Sequence, residues 1–263
     1  MLLKILQQIK YNKMSFKSVN KIQELYKSGK KIVALTSYTV PFAIAADGIC
    51  DIILVGDSLE MVLYGSQDTN SLEIETIIKH AKSVKQATQN ALVVCDVPFS
   101  YYEQNKEQAF ANIAKIIKQT GVDAVKLEGC EEIADTISFL TKRGIAVMGH
   151  IGLMPQRIRT IGSYKKVVTS KEVLLEQAKL LEESGVFSIV IENCNPDDAK
   201  YVTKNISVPT IGIGAGDDCS GQIAVFEDIC GLTPKQPPFA KKYANILEQI
   251  KQVASSYAKD VRG

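Results

Sequence analysis

Histidine is scarce in this chain, which has only His80 and His150. Six cysteines, Cys50, Cys95, Cys130, Cys194, Cys219 and Cys230, are scattered with no C-x-x-C pair among them. The usual zinc spacings therefore cannot be assembled, and no disulfide framework is in view. Scattered thiols fit a reducing compartment, so a cytoplasmic protein is expected. Arginine is also sparse (Arg143, Arg157, Arg159, Arg262), the net charge is +2, and lysines are spread along the chain. Without a compact basic block and interleaved aromatics, nucleic acid is not an expected partner. Nowhere do about twenty uncharged apolar residues follow one another, which argues against a membrane-spanning helix. Met1 to Lys10 carries apolar residues interrupted by lysine, so it lacks the continuous apolar core of a secretory signal and reads as an amphipathic helix. The absence of arginine there disfavours an organelle transit segment, and Met14 offers an alternative start.

What the chain does have is a rhythm. Short apolar runs recur over Lys31–Thr36, Cys50–Val55, Ala91–Asp96, Asp123–Glu128, Ile145–His150, Val186–Glu192 and Val208–Gly212, with a last strand within Gln222–Phe226. Helical periodicity fills the gaps: from near Pro41, over Glu73–Gln89, Lys106–Gln119, Glu131–Lys142, Lys171–Ser184 and Pro196–Lys204, and from Lys241 to about Ala258. Gly121, Gly144 and Gly185 supply stop signals. A helical lead-in with Val19, Ile22, Leu25 and Tyr26 on one face precedes the first strand. Ser58 to about Leu72 reads as a long polar loop, and Gly152–Ser170 as an active-site loop with little regular structure. Strict alternation implies parallel strands, and 263 residues lie close to the roughly 250 of an eight-stranded barrel. The prediction is an α/β protein, a (β/α)8 TIM barrel over 31–263, with an N-terminal helical extension over 1–30 packed on it.

The ends of the apolar runs carry the chemistry. Ile52-Ile53-Leu54-Val55 stops at Gly56-Asp57-Ser58, and later runs end at Asp96, Glu128, His150 and Glu192. Side chains alternate along a strand, so Lys126 shares a face with Glu128, Val94 with Asp96, and Val190 with Glu192. A lysine buried on such a face needs a partner, and Glu128, Asp96 or an anionic substrate would serve. Asp57 and Asp96, from neighbouring strands, can converge on one hard cation, and carboxylates with waters suit magnesium better than zinc. Singly, each acid is equally a strand-end turn residue, His150 a hydrogen-bonded core histidine and Glu192 a lid for its neighbouring helix. Together they favour one shared rim. The Gly212–Gly216 turn contains G-x-G without the full dinucleotide fingerprint; it either cradles a carboxylate or turns the chain tightly. Cys130 and Cys194, near the expected mouth but without a basic partner, are read as packing residues.

From about Val19 to Ala244 the chain resembles the ketopantoate hydroxymethyltransferase (3-methyl-2-oxobutanoate hydroxymethyltransferase) family. The matching segments are Leu35-Thr36-Ser37-Tyr38, Val55-Gly56-Asp57-Ser58-Leu59, Asp96-Val97-Pro98-Phe99, Val125-Lys126-Leu127-Glu128-Gly129, Gly149-His150-Ile151-Gly152-Leu153, Pro155-Gln156 and Pro209 to Gly216. The resemblance implies transfer of a one-carbon unit from 5,10-methylenetetrahydrofolate to 2-oxoisovalerate through a magnesium-stabilised enolate, for pantothenate synthesis. It also implies a homo-oligomer, commonly a decamer. By the same resemblance Asp57 and Asp96 are Mg2+ ligands, with Glu128 beside the metal's water shell. Ser58 and Lys126 are substrate contacts, with His150 grouped beside them, and Glu192 is the base. The chain departs from the family pattern at Glu60, where glycine is usual, at Gly65-Ser66-Gln67-Asp68 in place of Gly-His-Asp, at Met154 for threonine, and at Glu227-Asp228 for a histidine-aspartate pair. Two alternatives stand beside this expectation: a related magnesium-dependent lyase or mutase acting on another 2-oxo acid, and a non-catalytic barrel that binds a metabolite or partner.

Overall fold

The computed structural model describes residues 19–165, 169–234 and 236–263, so the helix expected over Met1–Lys10 lies outside the described residues. The strands are β1 (Ile32–Thr36), β2 (Ile52–Val55), β3 (Leu92–Asp96), β4 (Ala124–Glu128), β5 (Val147–Gly152), β6 (Ser188–Glu192), β7 (Thr210–Ile213) and β8 (Gly221–Ala224). Each pairs in parallel with the next, and β8 closes on β1, giving the expected (β/α)8 barrel. The helices are α1 (Val19–Lys27), α2 (Val40–Ala46), α3 (Leu59–Val62), α4 (Ile74–Ala87), α5 (Lys106–Thr120) and α6 (Ala134–Thr141). They continue as α7 (Ile158–Ile161), α8 (Lys171–Glu183), α9 (Pro196–Asn205), α10 (Phe226–Cys230) and α11 (Ile246–Arg262).

Strand parity divides the core in two. Ile32, Ala34, Ile52, Leu54, Leu92 and Val94 belong to one buried cluster inside the barrel, with Met148, Val190, Ile211 and Ile223 opposite them. The alternate residues, such as Ile53, Val55, Val93, Cys95, Val125 and Leu127, pack outward against Ile77 of α4, Ile113 of α5 and Leu140 of α6. Helix α1 covers the N-terminal end of the barrel. Its Ile22 is wholly buried in the interior cluster, with Val19, Leu25 and Tyr26 packed beside it, and Gln23 Nε2 donates to Phe187 O at 2.7 Å. Burying one such isoleucine stabilises the assembly by about 1.5–3 kcal/mol. With that end plugged by apolar side chains, polar residues of the inward parity accumulate at the C-terminal mouth.

Local signals set the helix ends. Asn105 Oδ1 accepts from Gln108 N at the start of α5, and Ser170 caps α8 through Val173 N. Asn195, followed by Pro196 in the first turn, caps α9. The structure differs from expectation where periodicity is short. β5 runs two residues past His150 to Gly152, α6 begins at Ala134, and α11 begins at Ile246. The 58–72 loop contains α3, and the 152–170 loop contains a 3-10 turn over Pro155–Arg157 followed by α7. Helix α10 spans only five residues, too few for a 3.6-residue period to register. All six cysteines are free, and Cys130 and Cys194 are buried in the helix-side core, as packing residues should be.

Candidate active site

Four inward residues on three adjacent strands, Asp96 of β3, Lys126 and Glu128 of β4 and His150 of β5, gather at the barrel mouth. The register pairs Asp96 with Lys126 and Glu128 with His150. All four are nearly inaccessible to water. The Lys126 ammonium lies 2.8 Å from Asp96 Oδ1, and donates to Glu128 Oε1 at 3.3 Å and towards His150 Nδ1 at 3.3 Å. Lys126 therefore finds its partners within the protein, and a substrate contact would have to be made at their expense. Three acidic neighbours outweigh its desolvation and push its pKa up.

Glu128 is pushed down to about 2: burial opposes ionisation, but Lys126 and His150 together overcome it. His150 Nδ1 lies 3.3 Å from both Lys126 Nζ and Glu128 Oε1, which leaves the other ring nitrogen, Nε2, facing away from them. That nitrogen faces Glu192 Oε2 at 3.5 Å. Glu192 ends β6, keeps 16% of its side chain exposed, and is pushed up to about 8 by burial and by the charge of Glu128. Asn193, which follows it, adopts φ 46°, and its Nδ2 donates to Tyr164 O. The loop after β5 is thereby tied over the mouth.

Asp57 reaches the cluster by a route that strand parity does not describe. β2 ends at Val55, and continued alternation would send residue 57 outward with Ile53 and Val55. Instead the chain turns at Gly56, and Asp57 N donates to Asp96 Oδ2 at 2.9 Å. Burial and the negative charges of Asp96 and Glu128 raise the Asp57 pKa well above the ordinary carboxylate range. Asp96 is raised as well, by burial that its Lys126 neighbour only partly offsets. Ser58 stands at the edge of the site with its hydroxyl 2.8 Å from Tyr38 Oη.

Two buried residues given no role from sequence complete the constellation. Gln156, in the 3-10 turn, donates from Nε2 to Asp57 Oδ2 at 2.9 Å and to Val97 O at 3.0 Å. Its backbone N donates to Glu128 Oε2 at 3.1 Å. Tyr102 Oη lies 2.7 Å from Gln156 Oε1 and 2.9 Å from Glu128 O, and its single proton goes to the nearer oxygen, that of Gln156. The available signal was the Pro155-Gln156 pair in the loop after β5; Tyr102 lies in a segment with no comparable mark.

Glu60 turns out to organise its own loop. Its Oε1 accepts from Ser66 Oγ at 2.7 Å and Ser71 Oγ at 2.9 Å, and it lines a surface cleft of about 330 Å³ with Tyr64, Ser71, Glu73 and Thr76. Asp68, from the altered 65–68 segment, accepts from Arg159 Nε at 2.9 Å and so joins the loops after β2 and β5. Among the described residues no group of three or more His, Cys, Asp or Glu side chains is gathered in metal-ligating geometry. Two carboxylates with water and substrate completing the shell is a pattern suited to magnesium.

The family model described as ketopantoate hydroxymethyltransferase matches residues 17–263. A 3-methyl-2-oxobutanoate hydroxymethyltransferase of Rhizobium etli is 47% identical over 240 residues, 90% of this chain and 88% of that one. That of Caulobacter vibrioides is 44% identical over 239 residues, covering 90% and 87%. The chain belongs to the ketopantoate hydroxymethyltransferase family. Membership makes it an enzyme of the hydroxymethyltransferase class, which sets aside a non-catalytic barrel. Among solved structures, phosphonopyruvate hydrolase in complex with oxalate and Mg++ superposes with a TM-score of 0.63 at 15% identity, covering 93% of this chain and 87% of that chain. A 2,3-dimethylmalate lyase superposes at 0.60 with 12% identity, covering 95% and 89%. Likeness at such identities is one of fold, so the lyase or mutase alternative gains nothing beyond shared architecture.

Proposed function

We propose that the protein converts 3-methyl-2-oxobutanoate to 2-dehydropantoate, taking the one-carbon unit from 5,10-methylenetetrahydrofolate, as a step towards pantothenate. The single observation that supports it most is a lone exposed-edge carboxylate, Glu192, held at a raised pKa above a buried acidic rim. An ordinary carboxylate is too weak a base to remove a C3 proton, whereas one near pH 8 is matched to the task. His150 Nε2 stands 3.5 Å from Glu192 Oε2, without a formed hydrogen bond between them.

The rim fits a hard divalent cation such as Mg2+. Asp96 is buried with Oδ1 beside the Lys126 ammonium and Oδ2 accepting from Asp57 N, and Asp57 receives its described hydrogen bond on Oδ2, leaving Oδ1 for a ligand. Asp57 and Asp96 would hold the cation, with Glu128 beside its water shell. A cation there supplies Lewis-acid polarisation of a chelated 2-oxo acid. Lys126 balances the negative charge that develops as Glu192 takes the C3 proton, and the Ser58 hydroxyl is placed to contact the substrate. The substrate's C3 then bonds to the one-carbon unit as its two C–N bonds to the folate break; water provides the hydroxyl oxygen, and of the three protons released, two from water and one from C3 by way of Glu192, one stays on the hydroxyl and two restore the folate N–H groups. The loop tied down by Tyr164, Asn193 and Arg159 limits the water that would otherwise consume the electrophile.

A homo-oligomer, a decamer by family resemblance, belongs to the same proposal. Its support is α11, which buries no side chain and exposes Ile250, Val253, Tyr257 and Val261 along one stripe. The six free thiols accord with a cytoplasmic setting. Incubating the purified protein with 2-oxo acid, Mg2+ and 5,10-methylenetetrahydrofolate, and separately with phosphonopyruvate, tests the proposal. Appearance of 2-dehydropantoate alone is the expected result, and turnover of phosphonopyruvate alone would overturn it.

A further inference from the structure

The side chain of Gln156 has both its donors and its acceptor committed. Nε2 donates to Asp57 Oδ2 and Val97 O, while Oε1 accepts from Tyr102 Oη. The alternative amide orientation would set Oε1 against two oxygens, so only one orientation satisfies the site. Glutamate in its place could offer no comparable pair of donors when ionised, and leucine or methionine would offer none. Tyr102 is itself held, since its hydroxyl oxygen accepts from Glu128 N at 3.2 Å. The chain of contacts therefore runs from the backbone of β4, through Tyr102 and the Gln156 amide, to the Asp57 carboxylate. Gln156 also reaches the rim a second time, through its backbone N on Glu128 Oε2.

Asp57 needs such a support. It stands two residues beyond the end of β2, where no ladder hydrogen bond fixes its direction, and its own backbone N is directed to Asp96. Of its two carboxylate oxygens, Oδ2 is the one held by the Gln156 amide, which leaves Oδ1 for a ligand. Groups that orient a ligating carboxylate in this way govern affinity nearly as strongly as the ligand itself.

We infer that Gln156 is a positioning residue for the cation site: its amide, oriented by Tyr102, sets the Asp57 carboxylate for metal binding. The inference rests on the metal site proposed above. Mn2+ binding to the full-length protein without substrate, followed by electron paramagnetic resonance of the free ion, separates the two. Wild-type protein that fails to bind Mn2+ would overturn the metal site and this inference with it.

If wild type binds, Gln156→Met should weaken Mn2+ affinity roughly 10–100-fold. Tyr102→Phe, which keeps the amide and removes the hydroxyl that orients it, should produce a smaller loss in the same direction. Gln156→Met leaves the contact of its backbone N to Glu128 in place, so its change reports on Asp57, whereas Tyr102→Phe also removes the hydroxyl's contacts to the Glu128 backbone. Melting of the metal-free proteins provides the check on folding. Should Gln156→Met fail to fold, Tyr102→Phe carries the test, and wild-type affinity in the folded variant would overturn the inference.

Discussion

Glu192 is the residue whose environment says most about its work. Its folded pKa of about 8 lies above the ordinary 4.5, because burial and Glu128 disfavour its charge. Between those values the folded protein binds a proton that the unfolded chain does not, so this group makes stability fall as pH rises from about 4.5 to 8. Two opposite consequences follow. Metal-free Glu192→Gln should be more stable than wild type at pH 8.5 in urea titrations, with the difference vanishing near pH 4. In the wild-type enzyme kcat/KM should rise with unit slope as pH increases towards about 8, because only the ionised form accepts the proton. Lys126 makes the contrary case. It is buried among Asp96, Glu128 and His150, so Lys126→Met leaves their charges uncompensated and should cost about 3–5 kcal/mol of stability by urea denaturation.

At the scale of elements, the end of β5 against the end of β6 fixes the geometry of the base. Gly152 pairs with Glu192 and has φ +90°, and a Cβ there would stand 2.4 Å from Glu192 O. Gly152→Ala must move one strand end, so it should lower the melting temperature and depress kcat more than KM. A variant with wild-type kcat would show that this junction does not place Glu192.

The strand ends also show what was legible in sequence. Asp96, Lys126, Glu128, His150 and Glu192 were found because each continues the inward parity of a regular apolar strand. Asp57 was found as a carboxylate after an apolar run, but its direction was not, because the turn at Gly56 breaks parity. Gln156 and Tyr102 lie in turns, where their orientation depends on contacts 26 to 99 residues away in sequence. Glu60 looked like an added charge near the cation loop; its oxygen in fact closes that loop through two serines.

The whole molecule is a barrel sealed at one end by α1 and opened at the other into a charged mouth, which the alternation of eight strands made legible. Less legible was α11. Its residues 246, 250, 253, 257 and 261 keep helical spacing, yet they meet no core in a single chain. With homo-oligomer assembly proposed, Val253→Asp together with Tyr257→Asp should reduce the mass seen by light scattering without unfolding the barrel; an unchanged mass would remove α11 from the assembly. No helix among the described residues is long and apolar enough to cross a membrane.

The central claim is that Glu192 removes the C3 proton of a 2-oxo acid held at the acidic rim. Proton NMR in deuterated buffer measures this step directly, by following exchange at C3 of 3-methyl-2-oxobutanoate with Mg2+ and tetrahydrofolate present. Wild type should exchange the proton, omission of Mg2+ should stop it, and folded Glu192→Gln should be slower by roughly 10²–10⁴-fold. Exchange at the wild-type rate in folded Glu192→Gln would contradict the claim.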